Sequence, residues 1–297
     1  MKIVVTGGSG LLGSYLHHEM DAVYLNSSQY DLTFEGDVHE MYRDHRPDVV
    51  VHLAAKAGGM FDNIERPFYF LEENVLMNTQ MVKLAREYGV KKFIGTLSTC
   101  IYPDVVDHYP LVESDLHSGI PHQNHIGYAY AKRLHGVHLD IAKRQGLDYS
   151  YIIPSNLYGI YETGDITRKH FLGAILDKIK HANETGSDYI TVLGTGAPLR
   201  QFTYAKDVAK VIKLIVENGV SDNMNIGTPE NLSILDMTMI ALEATDSTHL
   251  KIELDTTKDD GQYRKDVDCA VLKKNFPDFE FTKLVDGIRE VYNELKK

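Results

Sequence analysis

The sequence predicts an α/β protein: a doubly wound parallel sheet with helices on both faces, followed by a smaller C-terminal lobe. Three observations predict it. Short apolar runs alternate with longer amphipathic stretches through the first half of the 297 residues. A glycine-rich turn follows the first apolar run at once. After Pro154 the alternation loosens. Alternating strands and helices imply a parallel sheet covered on both faces, and right-handed crossovers then give a Rossmann-type fold.

Taken in order, Lys2–Thr6 reads as a buried strand, Leu11–Met20 as a helix and Ala22–Leu25 as a second strand. Val38, Met41 and Tyr42 mark a helix face, spaced for one side of a 3.6-residue period. Val49–Leu53 is a third strand and Phe68–Tyr88 a long helix. Lys92–Leu97 is a fourth strand, Gly127–Arg144 a helix and Tyr149–Ile153 a fifth strand. Beyond Pro154, helices are expected at His170–Ala182, Ala205–Glu217, Ser233–Ala244 and Leu284–Leu295, with a strand at Ile190–Leu193. Turn-rich clusters fall at 159–168, 183–188 and 255–262. The expected division is a dinucleotide-binding domain over 1–158, with a returning segment near 200–228, and a mainly substrate-binding lobe over 159–297.

Composition is that of a globular chain, 43% hydrophobic and 25% charged. The net charge of −11, with no long Lys/Arg run, argues against nucleic-acid and anionic-membrane partners. Cys100 and Cys269 are too few for a disulfide scaffold and lack zinc spacing, so no metal site is expected. No apolar run is long enough to span a bilayer, and the MKIVVTG start lacks a signal-peptide layout. A cytoplasmic location is the expectation.

TGGSGLLG (6–13) follows the first strand and opens the first helix. Gly7, Gly10 and Gly13 are three apart, and Gly8, Gly10 and Gly13 also fit G-x-G-x-x-G. Glycine here permits a tight turn, close approach of a pyrophosphate to the backbone, and close helix–sheet packing. The helix start offers free N–H groups to phosphate. Alone, such a turn can belong to a sheet protein that binds nothing; its place in a strand–turn–helix at the head of a βαβ pattern favours a dinucleotide. The second strand ends Leu25-Asn26-Ser27-Ser28, without the acidic residue usual in NAD enzymes. Three neutral donors do not repel a 2′-phosphate, which favours NADP(H). Asp31 and Leu32 are placed to meet the adenine, although Asp31 is equally a turn aspartate. The expected cofactor lining also takes in Ser9, Leu11, Leu12, Leu53, Ala54, Ala55, Lys56, Leu97, Pro154, Asn156, Leu157 and His170.

Tyr128 and Lys132 are four apart near the start of a predicted helix and share a face. A tyrosine is a poor acid, with a pKa of about 10, unless nearby positive charge favours its phenolate. So placed, it gives a proton to a ketone oxygen as hydride arrives at the carbon, and the lysine holds the nicotinamide ribose. A Tyr–Lys pair is also a common surface pattern. Ser98, just past the fourth strand at the carboxyl edge of the sheet, strengthens the chemical reading, because it can hydrogen-bond the same oxygen. Tyr130 faces elsewhere and is assigned to packing.

These residues together resemble the extended short-chain dehydrogenase/reductase family. The resemblance covers residues 2 to about 290. It is carried by LAAKAGG (53–59), STCIYP (98–103), GYAYAK (127–132), PSNLYG (154–159), GTGAPLR (194–200) and DGQYRK (260–265). It implies the branch that converts GDP-4-keto-6-deoxy-D-mannose to GDP-L-fucose with NADPH, by epimerisation at carbons 3 and 5 and reduction at carbon 4. It also implies a homodimer, paired through the helices near 68–88 and 127–144. By the same resemblance Cys100 and His170 are the epimerisation pair. A tuned thiol can serve as base and a histidine as acid. Read from the residues alone, a lone cysteine such as Cys100 is more often a buried small hydrophobe, and His170 is a helix-start residue that nothing singles out from the thirteen other histidines. Arg200 and Lys265 match the family's contacts to the nucleotide. Lys178 stands where relatives often have arginine, and Leu193 where many have tryptophan, a residue this chain lacks. Thr99, Asn156 and Asp260 complete the implied substrate contacts, with Ser98 and Cys100. Two other readings remain: an epimerase for a different nucleotide sugar, and a non-catalytic binding module. The Cys/His pair argues against a UDP-sugar 4-epimerase, and the intact Ser98/Tyr128/Lys132 set against the module.

Overall fold

The computed structural model describes residues 1–161 and 169–297. The first half runs β1 (Ile3–Thr6), α1 (Leu11–Glu19), β2 (Val23–Leu25), α2 (Glu35–His45), β3 (Val49–His52), α3 (Met60–Glu65), α4 (Pro67–Glu87), β4 (Lys92–Thr96), α5 (Ile126–Arg144) and β5 (Asp148–Pro154). The second half runs β6 (Asn156–Tyr158), α6 (Phe171–Thr185), β7 (Tyr189–Leu193), β8 (Leu199–Arg200), β9 (Phe202–Tyr204), α7 (Ala205–Glu217) and β10 (Met224–Ile226). It ends with β11 (Leu232–Ser233), α8 (Ile234–Ala244), β12 (Lys251–Asp255), α9 (Ala270–Asn275) and α10 (Leu284–Leu295).

Six strands form one parallel sheet in the order β10-β5-β4-β3-β1-β2. Because both faces are covered, the central strands are buried along their length; all four residues of β3 and all five of β4 are buried. Alternate residues feed two cores. Val4, Val50 and Phe93 join the face under α2, α4 and α5. Val5, Val51 and Ile94 join the other, with α1, α7 and the lobe helices α6, α8 and α10. The lobe therefore shares a continuous core with one face of the sheet. The predicted face of α2 is fully buried, with Val38, Met41 and Tyr42 at 0% exposure.

From β1 the chain crosses to β2 on one side and returns to β3 on the other. That reversal opens a crevice beyond the carboxyl ends of β1 and β3, where such sheets bind ligands. Gly13 shows how closely the crevice wall is packed. A Cβ there would collide with the carbonyl oxygen of Gly7 and lie 2.7 Å from the Cα of Gly8. Gly13→Ala is expected to lower the unfolding free energy by about 1–3 kcal/mol, the usual cost of overpacking, and to weaken dinucleotide binding. Urea unfolding with and without NADPH checks both; unchanged midpoints in both would show that the loop tolerates the methyl.

The lobe departs most from expectation. α6 begins one residue after His170, which caps it, and ends at Gly186 in the left-handed region (φ 72°). β12 pairs in parallel with β7 where no strand is predicted. It has no buried residue, so no apolar alternation announces it. α3 has six residues, too few for a helical period to register. Residues 162–168, part of the turn-rich cluster at 159–168, lie outside the described residues. Among the described residues no helix is long and apolar enough to cross a membrane.

Candidate active site

The glycine loop is fixed by its backbone. Gly8 N–H donates to the Leu25 carbonyl at 2.8 Å, tying the loop to β2, and Gly10 N–H donates to the Gly7 carbonyl at 3.0 Å. Gly7 is left-handed at φ 73°, and a Cβ there would sit 2.6 Å from the Ala54 nitrogen. Gly10 caps α1 without a side-chain bond, leaving the first-turn N–H groups of Leu11, Leu12 and Gly13 on the cavity wall. This backbone-lined cradle fits a pyrophosphate.

Two adjoining cavities meet there. The smaller, about 230 Å³, is lined by Ser9, Asn26, Ser27, Asp31, Leu32, Ala54 and Lys56. It shares Gly7, Gly10, Leu53 and Ala55 with a larger one of about 910 Å³. Ser28 stands outside the lining of both; its N–H and hydroxyl are held by the Asn26 side-chain oxygen at 3.0 and 2.6 Å. Asp31 accepts from Thr33 N–H and hydroxyl at 3.0 and 2.7 Å. Those bonds, with the Lys56 charge, hold its carboxyl below the usual range. It thus builds its turn while lining the smaller cavity. Sequence reasoning missed the clamp behind Lys56. Buried Asn74 on α4 accepts from Lys56 N–H at 3.0 Å and donates to its carbonyl at 2.9 Å.

The larger cavity gathers most of the remaining expected residues. Ser98, Cys100, Tyr128, Lys132, Pro154, Asn156, Leu157, His170, Lys178, Leu193, Arg200, Asp260 and Lys265 all line it. Leu97, 2% exposed, ends at the same wall. Thr99 and Gly8 are absent from the walls of both cavities: Thr99 is buried beneath the turn, and Gly8 is tied to β2. Ser98 caps that turn, its oxygen 3.4 Å from Cys100 N–H. Arg133, one residue past Lys132, braces it by donating to the Ile101 carbonyl at 2.5 Å and the Gly119 carbonyl at 2.7 Å.

Lys132 is 1% exposed and donates to the Thr96 carbonyl at 2.7 Å, which locks it against the end of β4. Its Nζ lies 5.9 Å from the centre of the Tyr128 ring. Among the protein's own groups, burial, and then the nearby Cys100, push Tyr128 above its usual value. Burial also lowers Lys132 to about 8. The ammonium is spent on a carbonyl and set back from the phenol, so desolvation wins. Tyr128 is held as a neutral phenol, the form that donates a proton. Tyr130 is exposed, with the Arg133 guanidinium over its ring at 5.7 Å.

At the far end, Lys265 is buried and its Nζ lies 3.4 Å from the Cys100 sulfur. Burial raises the Cys100 thiol, but the Lys265 charge, the Ser98 hydrogen bond and the His170 charge outweigh it and leave the thiol below its usual value. His170 is exposed at the start of α6. Arg200 is oriented by carbonyls; it donates to Leu199 at 2.8 Å, Gln262 at 2.5 Å and Tyr263 at 3.3 Å. Lys178 donates to the Thr191 carbonyl at 2.8 Å. Asp260 has both oxygens on Thr195, at 2.7 Å each, and braces the 194–196 turn. Its carboxylate builds the wall of the cavity. Leu193 is 41% exposed on the rim.

Sequence reasoning missed Asn63, His122, His125 and Gln262, which also line the cavity. His125 is pushed down to about 3 by burial and then by Lys265, so it stays neutral. The two histidines in HQNH (122–125), just ahead of the Tyr–Lys helix, were a signal that their number among fourteen in the chain concealed.

Residues 3–227 match the NAD dependent epimerase/dehydratase family. The GDP-L-fucose synthase of Dictyostelium discoideum is 34% identical, over 97% of this chain and 93% of its own length. GDP-L-fucose synthase 1 of Arabidopsis thaliana is 31% identical, over 91% and 86%. A crystal structure of a GDP-L-fucose synthetase from Naegleria fowleri bound to NADP superposes with a TM-score of 0.86 at 31% identity, over 98% of this chain and 91% of that one.

Proposed function

The chain belongs to the NAD dependent epimerase/dehydratase family, and from that membership we propose an oxidoreductase with epimerase activity that makes GDP-L-fucose. It converts GDP-4-keto-6-deoxy-D-mannose by epimerising carbons 3 and 5 and reducing the 4-ketone. NADP(H) is the cofactor; when bound, it supplies the hydride. The glycine cradle and the smaller cavity hold it, with Asn26, Ser27 and Lys56 at the adenosine end. The division of labour follows the chain: residues 1–158 hold the dinucleotide, and 159–297 supply most of the sugar-nucleotide contacts.

One observation carries the reading: Ser98, Tyr128 and Lys132 share a single cavity with Cys100 and His170. A plain reductase needs only the first three. In our reading the Cys100 sulfur takes a proton from a carbon beside the ketone, and His170 returns one on the opposite face. Ser98 and Tyr128 hydrogen-bond the enolate oxygen meanwhile. Tyr128 then protonates that oxygen as hydride reaches carbon 4. Arg200, Lys178 and Lys265 hold the diphosphate side. Incubation with GDP-4-keto-6-deoxy-D-mannose and NADPH, with product identification, tests this. GDP-L-fucose is expected; a reduced but unepimerised sugar, or no NADPH consumption, would overturn it.

We further propose a cytoplasmic homodimer. Phe68 and Leu76 on α4 and Leu134 and Ile141 on α5 are large, exposed and apolar, and the two helices pack together. Cys100 and Cys269 are both free thiols, which suits a reducing compartment. Sedimentation is expected to give twice the 33.5 kDa chain mass, and Leu134→Asp with Ile141→Asp to give a monomer. A monomeric wild type would remove this assignment, and recovery of the protein from a secreted fraction would remove the location.

A further inference from the structure

We infer that Lys265 is the counter-charge that holds Cys100 as a thiolate, and so is a positioning residue for the base. The inference rests on the reading of Cys100 as that base, and it gives Lys265 a duty beyond anchoring the nucleotide.

The argument begins with a buried ammonium. Lys265 is 8% exposed, and a charge removed from water needs a partner. Among the described residues no carboxylate pairs with it, and its side-chain hydrogen bond goes to the Cys100 sulfur at 3.4 Å. Protonated Cys100 would leave that ammonium against a neutral thiol. Ionised Cys100 makes a pair in which each charge offsets the desolvation of the other.

The other groups facing the sulfur cannot replace Lys265. Arg200, on β8, is within electrostatic reach, but its hydrogen bonds run to the carbonyls of residues 199, 262 and 263 rather than to the sulfur. His125, ahead of α5, is held neutral. Tyr128, on α5, is held as a phenol. His170, at the start of α6, adds to the thiolate's stability when charged but is exposed to solvent. Ser98 contributes a hydrogen bond without charge. Lys265 is the buried cation in hydrogen-bonding contact.

Fold placement makes the coupling reciprocal. Cys100 sits on the turn after β4, and Lys265 sits on the loop after β12. The contact spans 165 residues of sequence, so the base is armed only once the second half of the chain has closed over the sheet.

The test is the pH profile of Cys100 alkylation by iodoacetamide in the whole protein, with Cys100 and Cys269 tracked separately by peptide mass. The profile reads the thiol without turnover, so a failure of the conversion assay stays separable. The expected wild-type midpoint lies below the ordinary thiol value of about 8.5. Lys265→Met should raise it by about one pH unit or more, slowing alkylation at pH 7 about tenfold, and Lys265→Arg should restore most of the shift. NADPH binding, measured in parallel, shows that each variant is folded. A wild-type midpoint at or above about 8.5 overturns the inference whatever the variants do. So does an unshifted midpoint in Lys265→Met, even if the KM for the sugar nucleotide rises, for that is the signature of an anchor alone.

Discussion

Tyr128→Phe should lower NADPH oxidation by about 10²–10⁴-fold, the range for loss of a positioned general acid, and leave NADPH affinity nearly unchanged. The reason is in the protonation states. Burial holds Tyr128 as a phenol, and phenylalanine keeps the ring while removing the only proton it can give. Ser98 stays to hydrogen-bond the substrate oxygen, so exchange at carbons 3 and 5 should suffer less than hydride transfer. The pH profile adds a second reading. Burial lowers Lys132 to about 8; its charged form dominates below that value and is lost above it. Wild-type kcat/KM for reduction should therefore fall as pH rises through about 8. Cofactor fluorescence gives the affinity, absorbance the oxidation rate, and deuterium uptake the exchange. Turnover in Tyr128→Phe close to wild type would remove the tyrosine from its assigned role.

The difference between what the sequence announced and what it concealed follows the range of the interaction. Glycine spacing and the Tyr128–Lys132 pair are local patterns, set by one turn of backbone, and each stands where the spacing put it. Five of the six strands of the sheet were legible because burial on both faces forces runs such as VVV (49–51); β10, three residues long, lay unmarked in the returning segment near 200–228. β12 was not, because a solvated KIEL stretch carries no such mark. The tuning of the site was hidden for another reason. The spacing of Tyr128 and Lys132 says nothing of the Thr96 carbonyl, 36 residues away, that takes the lysine's hydrogen bond. Asp260 reads as a ligand contact until Thr195 takes both its oxygens. Lys265 reads as a phosphate anchor until the fold brings its ammonium to the Cys100 sulfur. Resemblance can name the residues of a site, but their charge states depend on desolvation and on partners far away in sequence.

That dependence is sharpest at Cys100, where a single-atom change should separate the two halves of the chemistry. Cys100→Ser should cut deuterium uptake at carbons 3 and 5 by about 10²–10⁴-fold while NADPH binds as before. A serine hydroxyl is far less acidic than a thiol, and the nearby ammonium that suffices to ionise sulfur cannot ionise it. The backbone frame of the hydride set is kept: residue 100 still donates its N–H to the Ser98 oxygen, and Lys132 still donates to the Thr96 carbonyl. The ketone should then be reduced before its neighbours are inverted, giving a 4-hydroxy sugar with unchanged configuration at carbons 3 and 5. NADPH oxidation would continue, at a rate set by how well the uninverted ketone reaches the hydride. Product analysis distinguishes the outcomes. GDP-L-fucose formed by Cys100→Ser at the wild-type rate would mean another base works in the cavity. Loss of both exchange and oxidation, with the cofactor still bound, would mean that inversion must precede reduction because only the inverted sugar presents its ketone to Tyr128.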